Sequence, residues 1–270
     1  MRGTSSTSFA EVLRQAEAAP AADAVPDTEA EELFSMADAI DSSNQLVRML
    51  SDAGRPAAVK EAAVRSLFEG RVGPRTLELA LEVVRRRWSE QEDILDALEL
   101  LGVSTLLDLA LREGVLEQIE GELFQVSRLI DGSGDLTSAL DGARDEPARR
   151  AVLLRRLLEG RVHSLTVILA ARAVGRRSEL KPARRVEEFA RFAADRRRRV
   201  FAEVASAVPL NESQQARLSA VLAGIYGREV QLNLQVDPEV VGGLRIQVGD
   251  DLYDATVLAR LSRARSSLVA

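Results

Sequence analysis

Shifted against itself by about 90 residues, the chain aligns positions 32–87 with 122–177 without a gap, and roughly 22 of about 56 positions are identical. Self-similarity of this length restricts the fold more than any composition does, because the chain must be assembled from two copies of one supersecondary unit. Glu32, Leu33 and Phe34 return as Glu122, Leu123 and Phe124. Ile40 and Asp41 return as Ile130 and Asp131, and Leu46 and Leu50 as Leu136 and Leu140. The densest match sets Glu69, Gly70, Arg71 and Val72 against Glu159, Gly160, Arg161 and Val162. Arg65 and Leu67 precede it in one copy, Arg155 and Leu157 in the other.

The repeated unit reads as helical. An amphipathic stretch ends at Gly70 and at Gly160, a residue able to take the left-handed conformation that closes a helix. A second stretch starts at once, with Pro74 suited to a first helical turn and Ser164 to an N-cap. Leu77, Ala80, Leu81 and Val84 in one copy, and Val167, Ala170, Ala171 and Val174 in the other, recur at helical steps and mark one packed face. A longer helix follows each copy, over 90–101 and 182–199, so each copy is expected to form a small antiparallel bundle. Helix stops and core leucines account for most identities. The matched pairs Arg71 with Arg161 and Glu69 with Glu159 are expected either to close the loop as ion pairs or to face a partner.

Composition narrows the function. With 270 residues, more than one compact unit is expected, and 4% aromatic with 29% charged residues favours helices packed through aliphatic seams. A net charge of -6 argues against a general nucleic-acid binder, which needs a basic surface to displace counterions. The chain has no cysteine, which excludes disulfides, thiolate metal sites and cysteine nucleophiles. No apolar run approaches the ~20 residues a membrane-spanning helix needs. The N-terminus lacks the basic start and apolar block of a secretory signal and reads as one short helix followed by an Ala/Pro linker.

The pattern changes after residue 199. Residues 200–210, VFAEVASAVPL, alternate as a strand would until Pro209 ends them. Asn211 is a good N-cap with Gln214 three positions on, and Leu218, Val221, Leu222 and Ile225 are expected to form the buried stripe of the helix that follows. Val230, Leu232, Leu234 and Val236 hold strict period two, the mark of a half-buried strand. Gly242 and Gly243 permit a bend before Leu244, Ile246 and Val248 form another strand. Gly249, Asp250 and Asp251 are expected to turn the chain into a closing helix that carries Val257, Leu258, Leu261 and Leu268. The expected fold is mainly α with a small α+β C-terminal domain: tandem helical bundles followed by a strand–helix–strand–strand–helix module. The expected divisions are 1–31 (helix and linker), 32–110 (first copy), 111–199 (second copy) and 200–270 (α/β domain).

Residues 207–210 (AVPL), 236–250 (VDPEVVGGLRIQVGD) and 254–261 (DATVLARL), in this order of elements, resemble the delta subunit of F-type ATP synthases, the family of the oligomycin-sensitivity-conferring protein. Ala255 stands where the family commonly has Gly. The resemblance runs from about residue 122 to the end, and the extra first copy is similar to the long actinobacterial form of the family. It implies a non-catalytic peripheral-stalk connector joining the catalytic head to a b-type stalk. The chain would be a single copy within a hetero-oligomer, peripheral on the cytoplasmic face of the cell membrane, with no cofactor, no nucleic acid and no insertion into the bilayer. It further implies that the helical part receives the N-terminal helix of an alpha subunit in an apolar groove, with Leu157, Leu158, Val162, Leu165 and Leu169 as candidates, and that Val241, Leu244, Ile246, Leu258 and Leu261 are candidates for the b stalk.

Chemistry is sparse. The single His163 lies in the turn after the second Glu-Gly-Arg-Val match with no Ser, Asp or Cys partner at a catalytic spacing, and is expected to be a turn residue. Asp250, Asp251 and Asp254 lack the ligand spacing of a calcium loop. Gly242 and Gly243 lie between two strands, not between a strand and a helix, which is the wrong context for a phosphate loop. No catalytic, metal or cofactor site is expected. The residues alone leave open a second reading, a helical-repeat adapter whose arginine runs bind RNA or an acidic protein.

Overall fold

The duplication in the sequence is a duplication of helices. In the computed structural model, residues 1, 3–18, 26–142, 146–176, 180–198, 200–226, 230–237, 240, 242–248 and 251–254 are described. The chain divides into two compact units, Met1–Arg196 and Arg197–Ala270. The first is helical, with α1 (Thr4–Ala18), α2 (Pro26–Asp41), α3 (Asn44–Ser51), α4 (Ala57–Phe68), α5 (Pro74–Arg85), α6 (Asp93–Arg112), α7 (Leu116–Gly132), α8 (Gly134–Gly142), α9 (Pro147–Leu158), α10 (Ser164–Val174) and α11 (Pro182–Arg198). The helices α2 to α5 return as α7 to α10 about 90 residues later.

Helix α6 belongs to both copies. Ile94, Leu95, Ala97, Leu98 and Leu101 enter the first copy's core, and Val103, Leu106, Leu107 and Ala110 enter the second's. The same register that matches α6 to α11 as the end of a bundle matches it to α1 as the start of one. A helix buried along its whole length must be apolar nearly all round, as α6 is. The helix expected to end near residue 101 therefore runs on to Arg112. Gly102 does not stop it. A Cβ there would lie 2.6 Å from a ring carbon of Phe34, so the glycine serves the close approach of α2.

Helix α1 is packed into the first bundle, with Val12 and Leu13 buried in its core. Ser5 Oγ donates to Asp93 at 2.5 Å and Ser8 Oγ to the Arg87 carbonyl at 2.8 Å. Residues 19–25 of the expected linker lie outside the described residues.

The second unit carries β1 (Val200–Ser206), α12 (Glu212–Tyr226), β2 (Val230–Val236), β3 (Leu244–Val248) and β4 (Asp251–Asp254) in a sheet of order β2-β1-β3-β4. β1 runs parallel to β2 and antiparallel to β3, so that Val204 lies beside Leu234 on one side and Ile246 on the other. Period two places Ala202, Val204, Ile246 and Val248 in one core with Leu222 of α12. Asn211 and Gln214 close a reciprocal capping box at 2.9 Å in both directions. Gly242 and Gly243 adopt φ of 67° and 88° just before β3. Asp251, expected in a turn, opens β4 opposite Val248. Val221 and Ile225, expected to be buried, are 54% and 58% exposed. α12 covers only one face of the sheet, and its buried line runs through Leu218, Leu222 and Tyr226, rotated away from those two positions. The closing helix expected over the last residues lies outside the described residues. The chain is thus mainly α with a small α+β unit at its C-terminal end.

Candidate partner-binding surfaces

Each copy is braced by a half-buried carboxylate. In the first, Glu32 of α2 accepts from the Gly73 backbone N–H at 3.0 Å and from the Thr76 hydroxyl, tying α2 to the start of α5. In the second, Glu122 of α7 accepts from His163 N–H at 2.9 Å and Thr166 Oγ1 at 2.5 Å, tying α7 to α10. Burial opposes the ionisation of Glu122, but hydrogen bonds from Thr166, Gln118 and the His163 backbone outweigh it and hold its carboxyl below the usual glutamate range. These glutamates stood out in the sequence only as matched letters. Their spacing to Thr76 and Thr166, 44 residues in both copies, was the available signal.

The loops between α4 and α5, and between α9 and α10, are the shared Glu-Gly-Arg-Val segments, with Gly70 at φ 75° and Gly160 at φ 73°. Glu69 pairs with Arg65 at 3.6 Å, one helical turn back, and not with Arg71. In the second copy the N-cap is His163, whose Nδ1 accepts from Leu165 N–H at 3.3 Å, and Ser164 is the first helical residue instead of the cap. His163 therefore has a capping task. Among the described residues no cluster of His, Cys, Asp and Glu is able to hold a metal ion.

Of the residues proposed for an alpha-subunit helix, Leu158, Leu165 and Leu169 are buried in the second core, and Val162 packs half-buried against it. Leu157 of α9 is half-buried. Of those proposed for the b stalk, Ile246 is in the core of the sheet and Leu244 packs half-buried against it. Val241, Leu258 and Leu261 lie outside the described residues.

The two copies meet at a charged junction that periodicity did not reveal. Glu99 of α6 is 0% exposed and accepts from Arg172 at 2.9 Å, from Arg176 at 3.1 Å and from Arg185. Asp96 holds Arg176 at 2.7 Å and Asp38 holds Arg172 at 2.8 Å. Burial disfavours the charge on Arg176, but Glu99 and Asp96 outweigh it and raise its pKa. Arg172 also lies over the Phe34 ring at 4.8 Å, so α2 of the first copy and α10 of the second are joined both by charge and by an aromatic face.

A protein-family model described as ATP synthase delta (OSCP) subunit matches residues 103–268. A protein named ATP synthase subunit delta from Beutenbergia cavernae is 41% identical over 239 residues, covering 88% of each chain. The chain belongs to the ATP synthase delta (OSCP) subunit family. A namesake from Thermobifida fusca is 39% identical over 272 residues and covers 99% of both chains, so the first copy has its counterpart there. A chain from the cryo-EM structure of the Toxoplasma gondii mitochondrial ATP synthase hexamer aligns with 62% of this chain and 95% of its own length, at 19% identity and a TM-score of 0.29. The delta-family match begins within α6 and takes in α7 to α11 and the α/β unit, leaving α1 to α5 outside it.

Proposed function

We propose that the chain is the non-catalytic connector of the peripheral stalk of a proton-translocating ATP synthase, holding the alpha/beta head against rotation by joining it to a b-type stalk on the cytoplasmic face of the membrane. Delta-family membership over residues 103–268 is the observation that carries this reading. The second copy, 111–199, would receive the N-terminal helices of alpha subunits around Leu157 and Val162, and the α/β domain, 200–270, would grip the b stalk. Exposed Val208, Val221, Ile225, Val236 and Leu252 support the second assignment, because so small a unit has little reason to leave this much aliphatic surface wet. Such a connector needs slow dissociation from both partners and no reactive group. No helix among the described residues is long and apolar enough to cross a membrane, which fits a peripheral location. No observation favours the RNA-binding adapter. Affinity purification of the tagged full chain tests the proposal: ATP synthase alpha and b subunits are expected with it, and salt-sensitive RNA in their absence would refute it.

A further inference from the structure

Three helices, α1, α6 and α11, hold the same register of the repeat, about 90 residues apart, and all three meet. One face of α11 enters the second core through Val186, Phe189, Ala190 and Ala193. A neighbouring stripe, Arg185, Phe192 and Arg196, keeps the seven- and four-residue steps that line up along one side of a helix. Each of its members reaches α1 or the first-copy half of α6. Arg185 donates to the buried Glu99. The Phe192 ring packs against both cores and lies 6.2 Å from the Phe9 ring of α1. Arg196 meets Glu17 of α1 at 2.5 Å and also Asp108 of α6, and the side chains of Arg196 and Glu17 are 2% and 7% exposed. The positions of α6 that match this stripe are Leu95, Gly102 and Leu106, and both leucines sit in bundle cores. On α11 two core leucines have thus become arginines with buried partners.

We propose that α1 is a strap across the C-terminal half of α11, closed by Phe9 on Phe192 and by Glu17 on Arg196, and that the added first copy serves the protein by holding this helix down. Helix α11 ends at Arg198 and β1 opens at Val200, so the second unit continues the chain from α11. In the connector role, on which the load argument rests, a pull between head and stalk runs through this helix. Helix ends leave backbone groups unpaired and open at the least cost, so the last turns of α11 are where such a pull would begin to peel it away. A buried ion pair suits that place. Separating Glu17 from Arg196 strands charge in poorly solvated surroundings, so the contact resists opening until it breaks outright. Phe9, Glu17 and Glu99 all lie outside the delta-family match, which begins at residue 103, so the strap comes with the first copy.

Hydrogen exchange of the full chain tests the strap, and ATP-driven proton pumping by ATP synthase assembled with the same variants tests the load. F9A/E17A is expected to speed exchange of the amides over 192–198 by about tenfold or more, while those of α5 and α10 stay within about threefold of wild type. E17Q, which keeps an acceptor oxygen opposite Arg196, is expected to lose less protection. S5A, which removes hydrogen bonds to Asp93 and Ser89 at the start of α1, is expected to leave 192–198 unchanged. Enzyme assembled with F9A/E17A is expected to keep its full set of subunits and to pump fewer protons per ATP hydrolysed. Unchanged protection over 192–198, or an equal acceleration in every helix, would overturn the strap. A loosened α11 with undiminished pumping would overturn its load-bearing role. A wild-type chain absent from the purified enzyme would instead refute the connector role, on which the exchange measurement does not depend.

Discussion

The first and second copies hold the same skeleton and present different surfaces. Glu32 and Glu122 make the same brace, Gly70 and Gly160 take the same left-handed turn, and each bundle closes on α6. Outside that frame the copies diverge: α4 and α5 are linked by Arg65 with Glu78 and Arg85 with Glu61, whereas α9 and α10 carry Ala151 and Ile168 where those two glutamates stand. Duplication thus preserves what a bundle needs internally and leaves the outer face open to specialise. It also creates a new interior, the junction between copies, where Glu99 has no counterpart: the positions matched to it are Phe9 in α1 and Phe189 in α11.

The junction gives the largest expected effect. Glu99→Ala removes the fully buried acceptor shared by three guanidinium groups, leaving them only the more exposed Asp38, Asp96 and Glu188, and is expected to cost about 3 kcal/mol of the helical unit's stability. Urea denaturation followed by helical circular dichroism measures it, and a loss below about 1 kcal/mol would mean the copies are held together by apolar packing alone. The braces come next. Glu32→Ala and Glu122→Ala each leave a backbone N–H and a threonine hydroxyl without their acceptor, and are expected to cost a similar ~1–3 kcal/mol. Markedly unequal losses would break the equivalence of the two frames. Because the Glu122 carboxyl is held below its unfolded value, its contribution is present above about pH 4.3 and fades as pH falls through the depressed folded value. Glu122→Gln should therefore narrow the stability gap to wild type as the buffer is acidified.

Gly102→Ala is expected to be smaller, a net loss of ~1 kcal/mol. The clash with Phe34 costs about 1–3 kcal/mol, and the better helix propensity of alanine returns about 1. Combining it with Phe34→Leu should recover much of that loss, and a double-mutant cycle with no coupling would place Phe34 elsewhere. Smallest of all, Arg65→Ala removes exposed ion pairs and Arg155→Ala removes none, so both should shift stability by at most about 0.5 kcal/mol. A large effect at Arg155 would show that it already has an internal structural role.

Much of the fold could be read from local pattern. Period 3.6 located α5 and α10, period two located β2 and β3, and Asn211 with Gln214 announced the start of α12, because each signal lies within a few residues of the structure it specifies. The site was less legible. Leu158, Leu165 and Leu169 lie on helices whose faces the pattern identifies as apolar, but the pattern does not say whether such a face meets its own core or a partner. Val221 and Ile225 were misplaced for the same reason, since a helix with several aliphatic rows does not declare which row the sheet will cover.

The sequence by itself determined that there are two related helical copies, where their helices break, and that an alternating α/β segment follows, because chain-local stereochemistry and hydrophobic period fix those features. Only the tertiary structure decided that α6 serves both bundles, that Gly102 yields space to Phe34, that Glu32 and Glu122 reach forward to tie down the starts of α5 and α10, and that Glu99 gathers Arg172, Arg176 and Arg185. Each of these joins residues at least about forty positions apart, and at that distance a partner is chosen by which surfaces meet when the helices pack, a choice no local spacing encodes.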